Sequence, residues 1–165
     1  MSIPVLIANA VDAISKNGSV MMNVALRGDG TLPENQAAML EAFGDWLRIN
    51  GEGIYGTRPW ITFGEGPMEI ITRRTGENLL PYSAKDIRFT TKGDIVYAFV
   101  LALPTEDIVI KKLCQKGLYS STIKEITMLG SDETLVWEHT RQGLFISLPD
   151  KLPDQPVIGF KITSK

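Results

Sequence analysis

The sequence predicts a mainly β protein: an antiparallel β-sandwich over residues 60–165, preceded by an α-β-α segment. Residues 4–50 alternate helical periodicity with one continuous apolar run. From residue 60 onward, short apolar stretches alternate with turn residues every 8 to 12 residues or so, the spacing of a sandwich of about 100 residues. With 165 residues, 44% of them hydrophobic, the chain suits one domain with an appendage. At that size it can bury about 70% of its unfolded surface without disulfide staples.

Leu6, Ile7, Ala10, Val11 and Ile14 form one stripe at helical spacing, predicting a helix over residues 4–16. Pro4 fits its first turn, where a missing N–H costs nothing, and Asn17-Gly18 supplies a stop. Val20-Met21-Met22-Asn23-Val24-Ala25-Leu26 is nearly continuous in apolar character, which suits a strand buried on both faces. Periodicity alone leaves a short helix open; Gly18 before the run and Gly28 and Gly30 after it favour the strand. Thr31-Leu32-Pro33-Glu34 reads as a capping box. The helix it opens carries Ala37, Leu40, Phe43, Gly44 and Leu47 on one face and ends at Asn50-Gly51. One such strand between two helices is an unfinished βα unit. It needs strand neighbours that this half of the chain does not contain.

The remaining strands are expected at 60–63, 68–72, 86–90, 94–103, 107–113, 122–129, 134–139, 143–148 and 156–163. Thr91-Lys92-Gly93 reads as a hairpin connection with glycine in a left-handed position. Alternation places Phe89, Ile146, Ile158 and Phe160 in the sandwich core. The expected division is a first unit at residues 1–59 and a sandwich at 60–165.

Composition narrows function. Net charge is −2, from 17 basic and 19 acidic residues, and the pairs Lys111/Lys112 and Arg73/Arg74 are of a size found on any solvated surface. No basic face for nucleic acid is expected. Cys114 is the only cysteine and His139 the only histidine. This rules out an intrachain disulfide and a His/Cys zinc site, and no metal or cofactor is expected. The first 18 residues lack a basic leader and a small-residue cleavage site, and Asn9 and Asp12 interrupt their apolar run. Neither a signal peptide nor a membrane span is expected there, and the cellular compartment stays undetermined.

Ser15-Lys16-Asn17-Gly18, Met22-Asn23-Val24, Asp29-Gly30-Thr31 and the string from Asn50 to Trp60, N-G-E-G-I-Y-G-T-R-P-W, follow one another at spacings that resemble the C-terminal portion of α-L-fucosidases of glycoside hydrolase family 29. Ile87-Arg88-Phe89-Thr90 and Leu129-Gly130-Ser131 are similar to the sandwich of that family. Many members carry a proline in the loop after the last barrel strand, where this chain reads Ala25-Leu26-Arg27-Gly28-Asp29-Gly30, which points to a different branch of the family. The resemblance implies that residues 4–50 are the last part of a (β/α)8 barrel, whose other strands are the missing neighbours. It implies a whole enzyme that releases terminal α-L-fucose from fucosylated glycans with retention, by two carboxyls about 5 Å apart. In the family both carboxyls lie upstream of this segment, so this chain by itself is expected to be inactive. The alternative is a non-catalytic carbohydrate-binding or structural sandwich module.

Individual candidates divide between chemistry and structure. Asn23 is the candidate substrate-binding residue, pointing into a sugar pocket at a barrel mouth or bonding a neighbouring strand end. Asp29 and Glu34 resemble a carboxylate pair, but turn and cap roles account for them better. Trp60, Trp137, Tyr82 and Tyr97 could form a sugar-stacking platform, although shared faces with Leu135, Ile95 and Phe99 favour core packing. Trp60 is expected to wedge the two units together. Cys114 and His139 read as structural, and Gly64-Glu65-Gly66-Pro67 as a tight turn, since no helix follows to make it a phosphate loop. The apolar faces patterned for an absent barrel predict a homo-oligomer joined through residues 4–50.

Overall fold

The computed structural model describes residues 2–68, 82–117 and 122–164. The expected strand at 68–72 lies outside them beyond residue 68, as does the Arg73/Arg74 pair. Among these residues, two helices, α1 (Ile3–Ser15) and α2 (Glu34–Asn50), precede eight strands. The strands are β1 (Arg58–Glu65), β2 (Ile87–Lys92), β3 (Ile95–Val100), β4 (Ile108–Ile110), β5 (Ile123–Met128), β6 (Trp137–His139), β7 (Leu144–Ile146) and β8 (Ile158–Ser164). They form a five-stranded sheet in the order β1-β2-β3-β8-β5 and a three-stranded sheet in the order β4-β7-β6, with every pairing antiparallel.

The larger sheet is a middle layer. Alternate residues of a strand face opposite sides, so Ile87 and Phe89 of β2, Val96, Ala98 and Val100 of β3, and Ile158, Phe160 and Ile162 of β8 meet the smaller sheet. Ile108, Ile110, Leu144 and Ile146 complete that core from the other side. The intervening residues turn the opposite way. Tyr97 and Phe99 pack under the helices with Ile7, Val11, Trp46 and Val157. Strand β3 thus reads as a continuous apolar run because both its faces are covered. The four core residues expected from alternation, Phe89, Ile146, Ile158 and Phe160, are fully buried, each contributing roughly 1.5 to 3 kcal/mol.

Two glycines have conformational or steric reasons. Gly93 (φ +59°) opens the two-residue turn between Lys92 and Ile95, where positive φ matches the strand twist. A Cβ on Gly159 would lie 2.7 Å from Asn50 Oδ1 and 2.9 Å from the Phe99 ring. That absence of a side chain lets the end of α2 press onto β8.

Three expectations of local structure fail. Residues 20–26 form no strand: the run is irregular, with Met21 86% and Leu26 62% exposed. An isolated strand has nothing to bond with, so the apolar pattern that would make it a strand remains unfulfilled. The capping box does not form either. α2 begins at Glu34 behind Pro33, and Thr31 instead gives its backbone N–H and its hydroxyl to Asp29 Oδ1. The Asp-Gly-Thr turn captures the hydroxyl first. Finally, Trp60 does not wedge the helices against the sheet. It packs on the sandwich core, edge-on to Phe89 at 5.2 Å between ring centres, while Trp46 fills the helix side.

Candidate functional site at the open helix face

Helix α1 presents two apolar faces. Ile7, Ala8 and Val11 cover the larger sheet, whereas Leu6, Ala10 and Ala13 line a cleft on the other side. The helix stops where Asn17 enters the left-handed region (φ 65°); its N–H bonds Ile14 O at 3.0 Å and Gly18 N–H bonds Ala13 O at 2.8 Å. This Schellman arrangement reverses the chain and lays residues 19–26 beside the helix just left. From α2, Met39 closes the cleft and Gln36 Oε1 accepts the Ala25 N–H at 2.8 Å.

The resulting cleft has a volume of about 410 Å³, with Asn9, Val20, Met22 and Asn23 among its lining residues. Asn23 is exposed and reaches it. None of the described lining residues is an acid or a base. Its amides can donate and accept hydrogen bonds and its methionines can follow an irregular apolar surface, so it can bind but holds no proton-transfer group. Asp29 stands in the adjoining turn, fully exposed, its carboxyl held below the usual range by the hydroxyl and backbone bonds from Thr31. Glu34 is an exposed first residue of α2. Their positions fit turn and helix-start roles.

Beneath the cleft sits a polar cluster that sequence reasoning missed. Arg88, completely buried on the helix side of β2, donates from Nε to Asp12 Oδ1 at 2.5 Å. Its other nitrogens reach Glu65 O at 3.2 Å, Ile87 O at 3.1 Å and Met68 O at 2.7 Å. Asp12 Oδ2 accepts from Lys16 Nζ at 2.8 Å. Tyr82 donates to Asn9 Oδ1 at 3.2 Å, and its hydroxyl is pushed up to about 12, first by burial and then by the nearby Asp12 charge. The available signal was an arginine in an alternating strand, Ile87-Arg88-Phe89-Thr90, at a position facing away from the sandwich core. Its partner, 76 residues earlier, carried none.

The string from Asn50 to Trp60 is a junction. Asn50 Nδ2 donates to Gln155 Oε1 at 2.5 Å, Glu52 accepts from Lys161 Nζ at 2.9 Å, and Gly53 O accepts from Thr90 Oγ1 at 2.6 Å. Each contact ties the end of α2 to a different strand or loop of the sheet layer. Trp46, absent from the helical stripe expected for α2, donates from Nε1 to Val157 O at 2.8 Å and continues that seam.

The four aromatic candidates are not brought together. Trp60 and Trp137 pack on the sandwich core, Tyr97 lies under the helices, and Tyr82 lies against Arg88. Cys114 is a half-buried thiol, and among the described residues no group of histidine, cysteine and acidic side chains could hold a metal ion. Also among them, no helix is long and apolar enough to cross a membrane.

Two family models match the chain: one described as alpha-L-fucosidase over residues 1–52, and one as alpha-L-fucosidase C-terminal domain over residues 81–163. The chain is similar to tissue alpha-L-fucosidase of Homo sapiens, 31% identical over 161 residues, covering 97% of this chain and 30% of that protein. Alpha-L-fucosidase of Dictyostelium discoideum is 29% identical over 96% of this chain and 32% of its own length. Among solved structures, Thermotoga maritima alpha-fucosidase superposes with a TM-score of 0.75 at 30% identity, over 99% of this chain and 35% of that one. A second structure of the Thermotoga protein, in complex with fucose, gives 0.72 at 29% identity, over 99% and 34%. The chain therefore spans about a third of the length of the relatives it matches.

Proposed function

Because this chain belongs to the alpha-L-fucosidase family, we propose that it is the C-terminal part of an enzyme releasing terminal α-L-fucose from fucosylated glycans with retention. Its role in that enzyme is to finish the barrel with residues 1–59 and to brace it with the sandwich of residues 60–165. The catalytic carboxyls lie outside the chain, and no cofactor takes part. Asn23 contributes a neutral hydrogen-bonding group at the barrel mouth, where active sites of this architecture are built.

One observation carries this reading: an apolar segment with the pattern of a buried strand lies unpaired beside a cleft without an acid or base. A strand of this kind belongs to a sheet that other barrel units supply. Without them the same face, residues 4–50, is covered by further copies of the chain. The purified chain, assayed on an aryl α-L-fucoside, is expected to show no turnover above buffer and little or no binding of free fucose. Retaining hydrolysis needs two carboxyls that act as a unit, so their absence leaves little rate to detect. Hydrolysis that survives repurification would overturn the proposal.

A further inference from the structure

The outer face of the smaller sheet carries a second cleft, built without any contribution from the helices. Register places Val109, Phe145 and Glu138 side by side across β4, β7 and β6. Their neighbours Ile108, Ile110, Leu144 and Ile146 fill the sandwich core, so these three side chains face away from it. The larger sheet lies between this face and the helices α1 and α2. A cleft of about 370 Å³ opens here, lined by Glu138, Thr140, Arg141, Gln142 and Phe145. The turn that supplies its rim is fixed by its own bonds. Thr140 donates its N–H and its hydroxyl to Gly143 O at 2.9 and 3.1 Å, and its Oγ1 accepts the Gln142 N–H at 3.0 Å. Gln115 adds a backbone N–H to Thr140 O at 2.8 Å and its Nε2 to His139 O at 2.6 Å. Glu138, Arg141 and Gln142 stand exposed around the half-buried Phe145. Neither Glu138 nor Arg141 forms an ion pair with a described residue.

We propose that this cleft binds a neutral saccharide, a β-linked disaccharide segment of a glycan chain. An aromatic ring bordered by an acceptor-only carboxylate, a donor-only guanidinium and an amide that does both matches the surface of a pyranose. One face of a β-pyranose is a layer of C–H groups, which suits the Phe145 ring, and its edge hydroxyls each donate and accept. Charge weighs against the simpler occupants. Glu138 opposes an anion, Arg141 opposes a cation, and a wholly apolar partner would strip water from both without replacing it. Size selects a segment over a single sugar. The volume falls within the roughly 300 to 1,000 Å³ usual for ligand sites, more than one sugar ring needs, so free fucose fills too little of it to bind well. A weak second attachment of this kind raises the local concentration of the glycan's ends around the enzyme. The choice of a glycan rests in part on the proposed function, whose substrate is one.

Lactose titrated into the isotope-labelled chain, followed by amide NMR, is expected to shift Glu138, Thr140, Arg141, Gln142 and Phe145 together at millimolar concentration. Phe145→Leu keeps an apolar side chain on the sheet but loses the flat ring. It is expected to weaken binding roughly tenfold while the spectrum stays that of the folded chain. Arg141→Ala, at an exposed turn position, is expected to weaken it severalfold. No shift with lactose at tens of millimolar would overturn the site, as would shifts that ignore both substitutions. Equal shifts with inorganic phosphate would make it an anion site and overturn the saccharide. Turnover of an aryl fucoside by the purified chain would instead overturn the proposed function and leave this site standing, whereas a failed lactose titration leaves that function untouched.

Discussion

Tyr82 joins the carboxylate of α1, the buried guanidinium of β2 and the amide of Asn9 in one cluster, which alters how the residue titrates. Its ring lies 5.9 Å from the Arg88 guanidinium carbon, and its hydroxyl is raised from 10.0 to about 12 mainly by burial, then by Asp12. A hydroxyl raised in the folded state keeps its proton longer there than in the unfolded chain. Its contribution is fully present below pH 10 and is lost as pH climbs from 10 toward about 12. Denaturant midpoints measured across that window are expected to fall with pH, and Tyr82→Phe is expected to flatten part of the fall. Tyr97 and Lys161 keep part of it: burial and then the Glu52 charge raise the Tyr97 hydroxyl, and the hydrogen bond to Glu52 raises the Lys161 amine.

At the scale of elements, the Asp12–Arg88 pair fastens α1 to β2. Three carbonyls satisfy the other guanidinium nitrogens, leaving Asp12 as the one acidic partner of this fully buried cation among the described residues. Removing one partner of a buried ion pair leaves the other charge uncompensated. Asp12→Ala is therefore expected to cost about 3 to 5 kcal/mol in urea unfolding, an order-of-magnitude figure for such pairs. How legible the elements were followed from where their partners lie. The strands 86–90, 94–103 and 156–163 were readable as β2, β3 and β8 because turn residues and alternation are local properties of the chain. Residues 20–26 read as a strand buried on both faces but lie irregular and mostly exposed, since strand formation and burial depend on neighbours that no local pattern records. The Thr31 cap failed for a local reason: Asp29, two residues away, competed for the same hydroxyl. Asn23 lines the cleft, while Arg88, Asp12 and Trp46 were missed because each acts through a contact remote in sequence.

For the whole molecule, the helices are a covering layer as much as the end of a barrel. Tyr97, Phe99, Leu101, Leu129 and Val157 lie buried on the side of the sheet that α1 and α2 cover. A polypeptide of residues 58–165 is expected to expose this face, bind a hydrophobic dye and aggregate where the full chain does not, since exposed apolar patches of such size drive association. A soluble, dye-negative sandwich would show that the helices are dispensable. The strand order β1-β2-β3-β8-β5 reaches further, into how the protein is made. β8 runs between β3 and β5, and Ile158, Phe160 and Ile162 fill one core while Val157 fills the other. During synthesis on a ribosome, β5 has no neighbour in its sheet, and neither core is complete, until residue 164 has cleared the exit tunnel. Helices α1 and α2 must wait until β8 has emerged for the surface they will cover to be complete. Their apolar faces are open to chaperones for that interval.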